Sequence, residues 1–188
     1  LLREDYSGNK AFQENFRHTR EIVALAKRYG ASVEGEVVAV SGVEDGVGSD
    51  QEGELVPLDQ EIAFIKETGI YSYAPPIGTA HGFYKAEPTI RYDRIEALVA
   101  ATDMPMVLHG GSGLTEDVFR RLIALGAAKV NISTAIKEAY LKAGLNHLLK
   151  AREGGSWDPP RFFGSVESGV AGAARAHIAL VGSAGKSA

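Results

Sequence analysis

Cysteine is absent from the 188-residue sequence, and this absence excludes several kinds of site. Disulfide bonds, thiolate nucleophiles and cysteine-ligated zinc or iron–sulfur centres are ruled out, so any bound metal must use histidine and carboxylate ligands. Long apolar runs are also absent, since none approaches the ~20 residues that a membrane helix needs. The first residues, LLRED, lack the basic and apolar segments of a signal peptide. We therefore expect a cytoplasmic protein with no membrane partner.

Basic clusters are scarce as well. The net charge is −4, and lysine and arginine form only short pairs such as Arg120 and Arg121. The chain thus lacks the positive surface with which proteins bind nucleic acid, and any phosphate must be held locally. Hydrophobic residues make up 45% of the sequence and charged residues 23%, which is typical of a soluble globular protein.

The apolar residues that are present alternate between helical and strand spacing. Helical stretches, several of them ended by a glycine, precede strand-like runs four times along the chain. This repeat predicts a parallel α/β fold with about four such units and a single domain over residues 1–188. The predicted strands cover residues 32–40, 70–77, 104–108 and 129–132, and a terminal helix is predicted over residues 166–182.

Two histidines follow predicted strands, and each is followed by glycine. In parallel α/β proteins the functional groups collect at the carboxyl ends of the strands. Neutral imidazoles from His81 and His109 are therefore suited to bind one ion, while the adjacent glycines let the backbone approach a ligand. The alternative is that each histidine only caps its strand through hydrogen bonds.

A pair of acids lies in the first predicted strand. Glu34 and Glu36 are two residues apart, so both carboxylates should point to the same face of the strand. Buried acids need a cation or hydrogen-bond donors nearby, and the neighbouring valines suggest burial. The alternative is an edge strand whose acids face water.

Two glycine- and hydroxyl-rich turns follow the last two predicted strands. Gly110, Gly111 and Ser112 precede one helix, and Ser133 and Thr134 open the next. Backbone N–H groups and hydroxyls at such helix starts bind anions, and barrel enzymes commonly hold phosphate at this position. Tight turns also need glycine, so each cluster alone is a weak signal.

Five sequence blocks carry a resemblance to a known family. In chain order they are SVEGE (32–36), GVED (42–45), APPIGTAHGFYK (74–85), PMVLHGGSG (105–113) and KVNIST (129–134). Together they resemble the class II, metal-dependent ketose-bisphosphate aldolases, above all those acting on fructose 1,6-bisphosphate. The resemblance implies the C-terminal half of a TIM (β/α)8 barrel, a catalytic Zn²⁺ with a monovalent cation (K⁺ or Na⁺), a sugar phosphate substrate, and a homodimer or homotetramer.

The resemblance also implies roles for individual residues. His81 and His109 match two zinc ligands, and Glu36, with Glu34 beside it, matches a carboxylate assigned to a second or displaced metal position. Glu44 matches the loop acid that takes part in proton transfer, and Asn131 the residue that orients the enediolate of dihydroxyacetone phosphate. The residues that match the substrate-binding positions are Gly82, Gly110, Gly111, Ser112, Asn131, Ile132, Ser133 and Thr134.

The chain departs from the family pattern in its length. A complete barrel takes ~250 residues, and only four strands are predicted here. No Asp-His dipeptide precedes Glu34, although the family takes its catalytic acid and a third zinc histidine from such a pair. Three explanations follow: the C-terminal portion of a longer aldolase, a truncated product that pairs with another half barrel, or a non-catalytic phosphate-binding fragment. A preference for tagatose 1,6-bisphosphate is a further alternative.

Overall fold

A computed structural model describes residues 10–38, 41–44, 47–49, 55–82, 84 and 87–186, with the backbone alone for residues 41–44 and 47–49. The chain divides into two compact units, residues 1–111 with 121–131 and residues 112–120 with 132–188. The elements are α1 (Lys10–Lys27), β1 (Glu34–Gly35), β2 (Ser41–Glu44), β3 (Val47–Ser49), α2 (Leu58–Thr68), β4 (Ser72–Tyr73), β5 (Ala80–His81), α3 (Tyr92–Thr102), β6 (Met106–Leu108), α4 (Glu116–Ala124), β7 (Ala127–Val130), α5 (Thr134–Gly154) and α6 (Pro159–Leu180).

A four-stranded parallel sheet organises the first unit. Its strand order is β1-β4-β6-β7, so each strand lies beside the next predicted strand of the sequence. A helix connects each neighbouring pair, as parallel strands require. The α/β prediction with a parallel sheet is confirmed. The observed strands are shorter than the predicted ones, because the apolar runs in the sequence extend beyond the residues that pair through backbone hydrogen bonds between strands.

Aromatic side chains anchor α1 and α2 against this sheet. Phe16 and Phe64 lie with their ring centroids 5.8 Å apart, and Phe64 lies 6.1 Å from the ring of Tyr73 on β4. All three side chains are buried. Edge-to-face and tilted ring pairs at this distance add to the free energy of apolar burial. The cluster fixes the start of the sheet, where β1 carries Glu34.

A second, three-stranded sheet was not predicted from the sequence. Its order is β3-β2-β5, with β2 antiparallel to β3 and parallel to β5. The register places Gly42 beside His81, so the backbone of Glu44 lies two residues further along β2. These strands are two to four residues long and carry few apolar residues, so no period-two pattern marks them.

The second unit contains the antiparallel pair α5 and α6. The two helices approach closely where Gly169 faces Ala143, since a Cβ at Gly169 would lie 2.6 Å from the Cβ of Ala143. α6 begins at Pro159 and ends at Leu180, whereas the predicted helix covered residues 166–182. Two adjacent prolines suggested a break, but proline in a first helical turn loses no hydrogen bond and starts the helix. No helix among the described residues is long and apolar enough to cross a membrane.

Candidate metal centre and substrate site

His109 follows β6 directly, and the glycine after it fixes the course of the chain. All three residues of β6 are buried, so the strand holds His109 at a defined point of the sheet. Gly110 has a φ of 67°, and a Cβ there would overlap the backbone oxygen of Ala80. Only glycine satisfies both requirements. The close approach brings the β5 segment, which carries His81, against the turn after His109.

Tyr84 joins the same two segments. Its hydroxyl accepts a hydrogen bond from the backbone N–H of Ala80 at 3.0 Å and donates one to the carbonyl of Gly110 at 2.8 Å. Burial raises the pKa of the Tyr84 phenol, so the hydroxyl keeps its proton for the second bond. Tyr84 therefore fixes the spacing of the two histidine-bearing segments, a role that the sequence pattern did not indicate.

Glu34 on β1 and Glu36, one residue after β1, both lie beside the His109 ring, but they are nearest to different nitrogens. Oε1 of Glu34 lies 2.8 Å from Nε2, while Oε2 of Glu36 lies 4.0 Å from Nδ1. The first distance is that of a hydrogen bond and the second is too long for one. The two carboxylates therefore lie on the same side of the sheet and flank one imidazole.

A cation and an amide complete this group. Nζ of Lys129 lies 2.7 Å from Oε2 of Glu34, and Nδ2 of Asn131 lies 3.4 Å from Nε2 of His109. Partial burial would raise the pKa of Glu34, but the hydrogen bonds from Lys129 and His109 outweigh it and lower the pKa. Glu34 is thus held as a carboxylate between two donors.

The two histidine rings lie close to one another. Their centroids are 6.2 Å apart at an interplanar angle of 71°. Because a zinc–nitrogen bond is about 2.1 Å, the rings of two histidines on one ion have centroids about 5 to 6.4 Å apart. The observed separation is near the upper end of that range. This separation corresponds to a wide nitrogen–metal–nitrogen angle, so the two rings would have to come about 1 Å closer to bind one tetrahedral ion.

The histidines and acids supply only part of a metal site. No group of three or more histidine, aspartate or glutamate side chains that could hold a metal ion occurs in the described part of the chain. A catalytic zinc ion normally has three protein ligands. The gap of 4.0 Å between Nδ1 of His109 and Glu36 is also close to the maximum for two atoms on one ion. The donors fit an incomplete ligand set.

The turn predicted to bind an anion in the second unit includes the start of α5. Oγ of Ser112 accepts a hydrogen bond from the backbone N–H of Ala135 at 3.1 Å, in the first turn of α5. No side chain caps this helix at Ser133, and its first turn contains no acid. The N-terminus of α5 therefore keeps its positive dipole end uncompensated by a carboxylate. Such a terminus is suited to bind an anion.

The sequence model of the family described as class II fructose-bisphosphate aldolase matches residues 5–186 of this chain. The chain belongs to this family. The resemblance seen in the five sequence blocks is thereby confirmed, and the cluster around His109 lies in a member of the class II aldolases.

Three relatives share much of the sequence. A D-tagatose-1,6-bisphosphate aldolase subunit from Klebsiella oxytoca is 42% identical over 70% of this chain and 47% of its own length. A fructose-bisphosphate aldolase from Geobacillus stearothermophilus is 35% identical over 94% of this chain and 61% of its own. A 6-phospho-5-dehydro-2-deoxy-D-gluconate aldolase from Bacillus subtilis is 38% identical over 70% and 45%.

A solved structure supports the same assignment. A protein from Coccidioides immitis, assigned as a fructose-1,6-bisphosphate aldolase, aligns with a TM-score of 0.80 and 32% identity over 93% of this chain and 60% of that one. The chain thus spans about half to three fifths of the length of the relatives it matches.

The structure gives the positions of some of the remaining predicted residues but not of all their side chains. His81 lies on β5 of the second sheet, and not at the end of the main-sheet strand β4 as predicted, because the chain leaves β4 at Tyr73. Gly82 follows it with a φ of 87°. The side chain of Glu44 lies outside the described residues, although its backbone ends β2. The predicted substrate-binding roles of Gly111 and Ile132 stay predictions.

Two residues of the cluster were missed from the sequence. Lys129 lies on β7, and Asn131 is the first residue after this strand. Because side chains two positions apart in a strand point to the same face, this spacing could have indicated that Lys129 lies near the site. Tyr84 carried no such signal, because its partner Gly110 is 26 positions away.

Proposed function

We propose that the complete protein is a class II, zinc-dependent aldolase that cleaves fructose 1,6-bisphosphate to dihydroxyacetone phosphate and glyceraldehyde 3-phosphate. The observation that carries the proposal is the group formed by His81, His109, Glu36 and Asn131 in a chain of this family. A bound zinc ion would polarise the substrate carbonyl and so favour loss of the adjacent proton. His81, His109 and Glu36 are the residues of this chain that would hold it.

Two residues of this chain are proposed to act on the substrate directly. Asn131 lies beside His109 and can donate its amide N–H to a substrate oxygen that gains negative charge. Glu44, whose backbone is two residues beyond the Gly42–His81 pair, is the proposed carrier of the proton. A carboxylate can accept and return that proton without forming a covalent bond to the substrate.

Phosphate binding falls to the glycine- and hydroxyl-rich turns. Ser112, Ser133 and Thr134 belong to the second unit, where the start of α5 favours an anion. Gly82, Gly110, Gly111 and Ile132 are proposed to contribute backbone groups to the substrate, with a monovalent cation (K⁺ or Na⁺) beside them. Since these groups recognise a phosphate and not a particular sugar, they do not select between ketose bisphosphates.

The choice of substrate rests on a configuration at C4. Fructose and tagatose 1,6-bisphosphate differ only there, and the relatives include enzymes named for each of them and for a phosphorylated deoxygluconate. Fructose 1,6-bisphosphate is preferred because the relative named for it matches 94% of this chain, more than either of the others.

The described chain is proposed to be the C-terminal half of a (β/α)8 barrel, completed by residues that the present chain does not contain. The four consecutive parallel strands would then be half of an eight-stranded sheet. The missing half would supply the Asp-His pair with the third zinc ligand. The complete protein is further proposed to be a cytoplasmic homodimer or homotetramer.

Activity of the complete protein tests the proposal. Purified enzyme should cleave fructose 1,6-bisphosphate with a larger kcat/KM than either tagatose 1,6-bisphosphate or 6-phospho-5-dehydro-2-deoxygluconate, and a chelator should abolish cleavage until Zn²⁺ is restored. A larger value for either of the other substrates would reassign the specificity. Phosphate binding without cleavage of any of the three would identify a non-catalytic protein instead.

Glu44→Ala separates proton transfer from metal binding. In the complete protein we expect kcat to fall about a hundredfold or more, the usual contribution of a general acid or base, while the zinc content stays near one per site. Steady-state kinetics and metal analysis of the same samples give both values. A parallel loss of zinc would show that Glu44 acts as a ligand, and Glu14→Ala on α1 serves as the control.

A further inference from the structure

We propose that Glu34 is a positioning residue which, held by Lys129, orients His109 so that Nδ1 is the nitrogen presented to the metal ion and Glu36 is the carboxylate beside it. Glu34 on β1 and Glu36 just after it would then have different tasks, one on the Nε2 side of the imidazole and one on the Nδ1 side. This inference rests on the proposed function, because it assigns a task within the same metal centre.

The hydrogen bond between Glu34 and His109 determines which ring nitrogen carries a proton. A carboxylate only accepts hydrogen bonds, so the contact of 2.8 Å requires a proton on Nε2. In the neutral ring Nδ1 then has the lone pair that a metal needs. Metal-binding histidines commonly donate their second N–H to a carboxylate in this way, which fixes both tautomer and orientation.

Lys129 keeps Glu34 in place. Its ammonium contacts Oε2 of Glu34 at 2.7 Å, while Oε1 is occupied by His109. Both carboxylate oxygens therefore have a donor at short distance, and rotation of the carboxylate would break both contacts. The side chain of Glu34 is 26% exposed and that of Lys129 54%, so the lysine is the more exposed partner of this ion pair.

Glu36 has the complementary position. Its Oε2 lies 4.0 Å from Nδ1, on the side of the ring that the Glu34 bond leaves without a proton. A lone pair and a carboxylate oxygen facing each other repel, and a cation between them converts this repulsion into attraction. His81 lies near the same ring, with 6.2 Å between the centroids. The position of Glu36 at Nδ1 therefore assigns the metal to that side of His109.

The Asn131 amide is a second, more distant donor near Nε2 of His109. Its amide nitrogen is 3.4 Å from Nε2, near the limit of a hydrogen bond, whereas the Glu34 contact is short and involves an ionised acceptor. The amide therefore remains available to a substrate oxygen, as the proposed function requires.

The tautomer of His109 can be observed directly in the complete, metal-free protein. Nitrogen-15 NMR of labelled histidine side chains should show neutral His109 with its proton on Nε2, and addition of Zn²⁺ should shift the Nδ1 resonance. In Glu34→Gln, whose amide can donate as well as accept, we expect a mixture of tautomers and a 10- to 100-fold loss of zinc affinity by chelator competition.

Lys129 variants test the second contact. Lys129→Met should weaken zinc binding and broaden the tautomer distribution, and Lys129→Arg should restore both because it keeps a cation beside Glu34. The matched controls are Glu138→Gln and Lys142→Met, which remove an i,i+4 ion pair of 2.8 Å on α5. Both controls should keep the wild-type zinc affinity.

The outcomes distinguish this inference from the proposed function. A proton on Nδ1 in the wild type, or an unchanged tautomer and zinc affinity in Glu34→Gln, would overturn the positioning role while leaving an aldolase intact. A wild-type protein that binds no zinc and cleaves no ketose phosphate would overturn the proposed function. In that case a proton on Nε2 would still support the orientation of His109 by Glu34.

Discussion

Replacing His109 with alanine in the complete protein is expected to lower kcat/KM for ketose bisphosphate cleavage by roughly a thousandfold or more. The substitution removes one zinc ligand and the ring that Glu34 orients and Glu36 flanks. A metal ion that polarises a carbonyl supplies several kcal/mol of transition-state stabilisation, and each 1.4 kcal/mol or so corresponds to a factor of ten in rate. Zinc content measured on the same sample should fall in parallel.

His18→Ala provides the matched control for this experiment. His18 lies on α1, where its ring contacts Arg17 at 2.6 Å in an exposed position. The control should keep both zinc and activity. Full activity in the His109 variant would instead show that the reaction does not depend on this ring and would remove the basis of the metal centre.

Arg94→Met should lower the free energy of unfolding by about 3 to 5 kcal/mol near neutral pH, the usual cost of removing one partner of a buried ion pair. Arg94 contacts Oε2 of Glu61 at 2.8 Å, and Glu61 is fully buried between α2 and the sheet. The Tyr73 hydroxyl donates a hydrogen bond of 2.7 Å to the other oxygen. Without Arg94, Glu61 would be a buried charge with a single donor.

The size of this loss should depend on pH. Burial raises the pKa of Glu61, while the Tyr73 hydrogen bond and the charge of Arg94 oppose the shift. The wild type is therefore expected to lose stability as pH rises from below the ordinary glutamate pKa through the raised pKa of Glu61. Removal of Arg94 raises that pKa further, so the difference between variant and wild type should shrink as pH falls and Glu61 becomes protonated.

Urea unfolding of the complete protein at several pH values measures this effect. Arg120→Met is the control, because Arg120 pairs with Glu116 on an exposed face of α4, where loss of an ion pair costs about 1 kcal/mol or less. A second variant, Arg94→Met with Glu61→Gln, should recover part of the stability at neutral pH. Equal losses for Arg94→Met at acidic and neutral pH would show that packing, and not the charge of Glu61, sets the effect.

The four-stranded sheet could be predicted because its strands and the helices between them are marked by short, local sequence patterns. Several helices end at a glycine or polar residue, such as α2 at Thr68 before Gly69, and β6 is a short buried apolar run, so the order of these helices and strands follows from the sequence. The second sheet could not be predicted, since Ala80 and His81 form a strand only through pairing with distant residues of β2. Short strands of this kind depend on tertiary contacts and not on propensity.

In the candidate site, too, local sequence patterns predicted some features and long-range contacts determined the others. The spacing of Glu34 and Glu36 correctly indicates a shared face, but which of them bonds to His109 depends on how β1, β4 and β6 are aligned across the sheet. That alignment is set by packing between distant segments. The contact of Tyr84 with Gly110 is likewise long-range. Residue types at strand ends therefore indicated which side chains to expect around His109, and the pairing of those side chains needed the fold.

Anomalous diffraction at the zinc absorption edge, from crystals of the complete protein grown with Zn²⁺, tests the central claim most directly. A single ion bound by both His81 and His109 should give a peak about 2.1 Å from one nitrogen of each imidazole, with Nδ1 the ligating atom of His109. A peak that contacts neither ring, or two rings that face away from each other with no ion between them, would contradict the account.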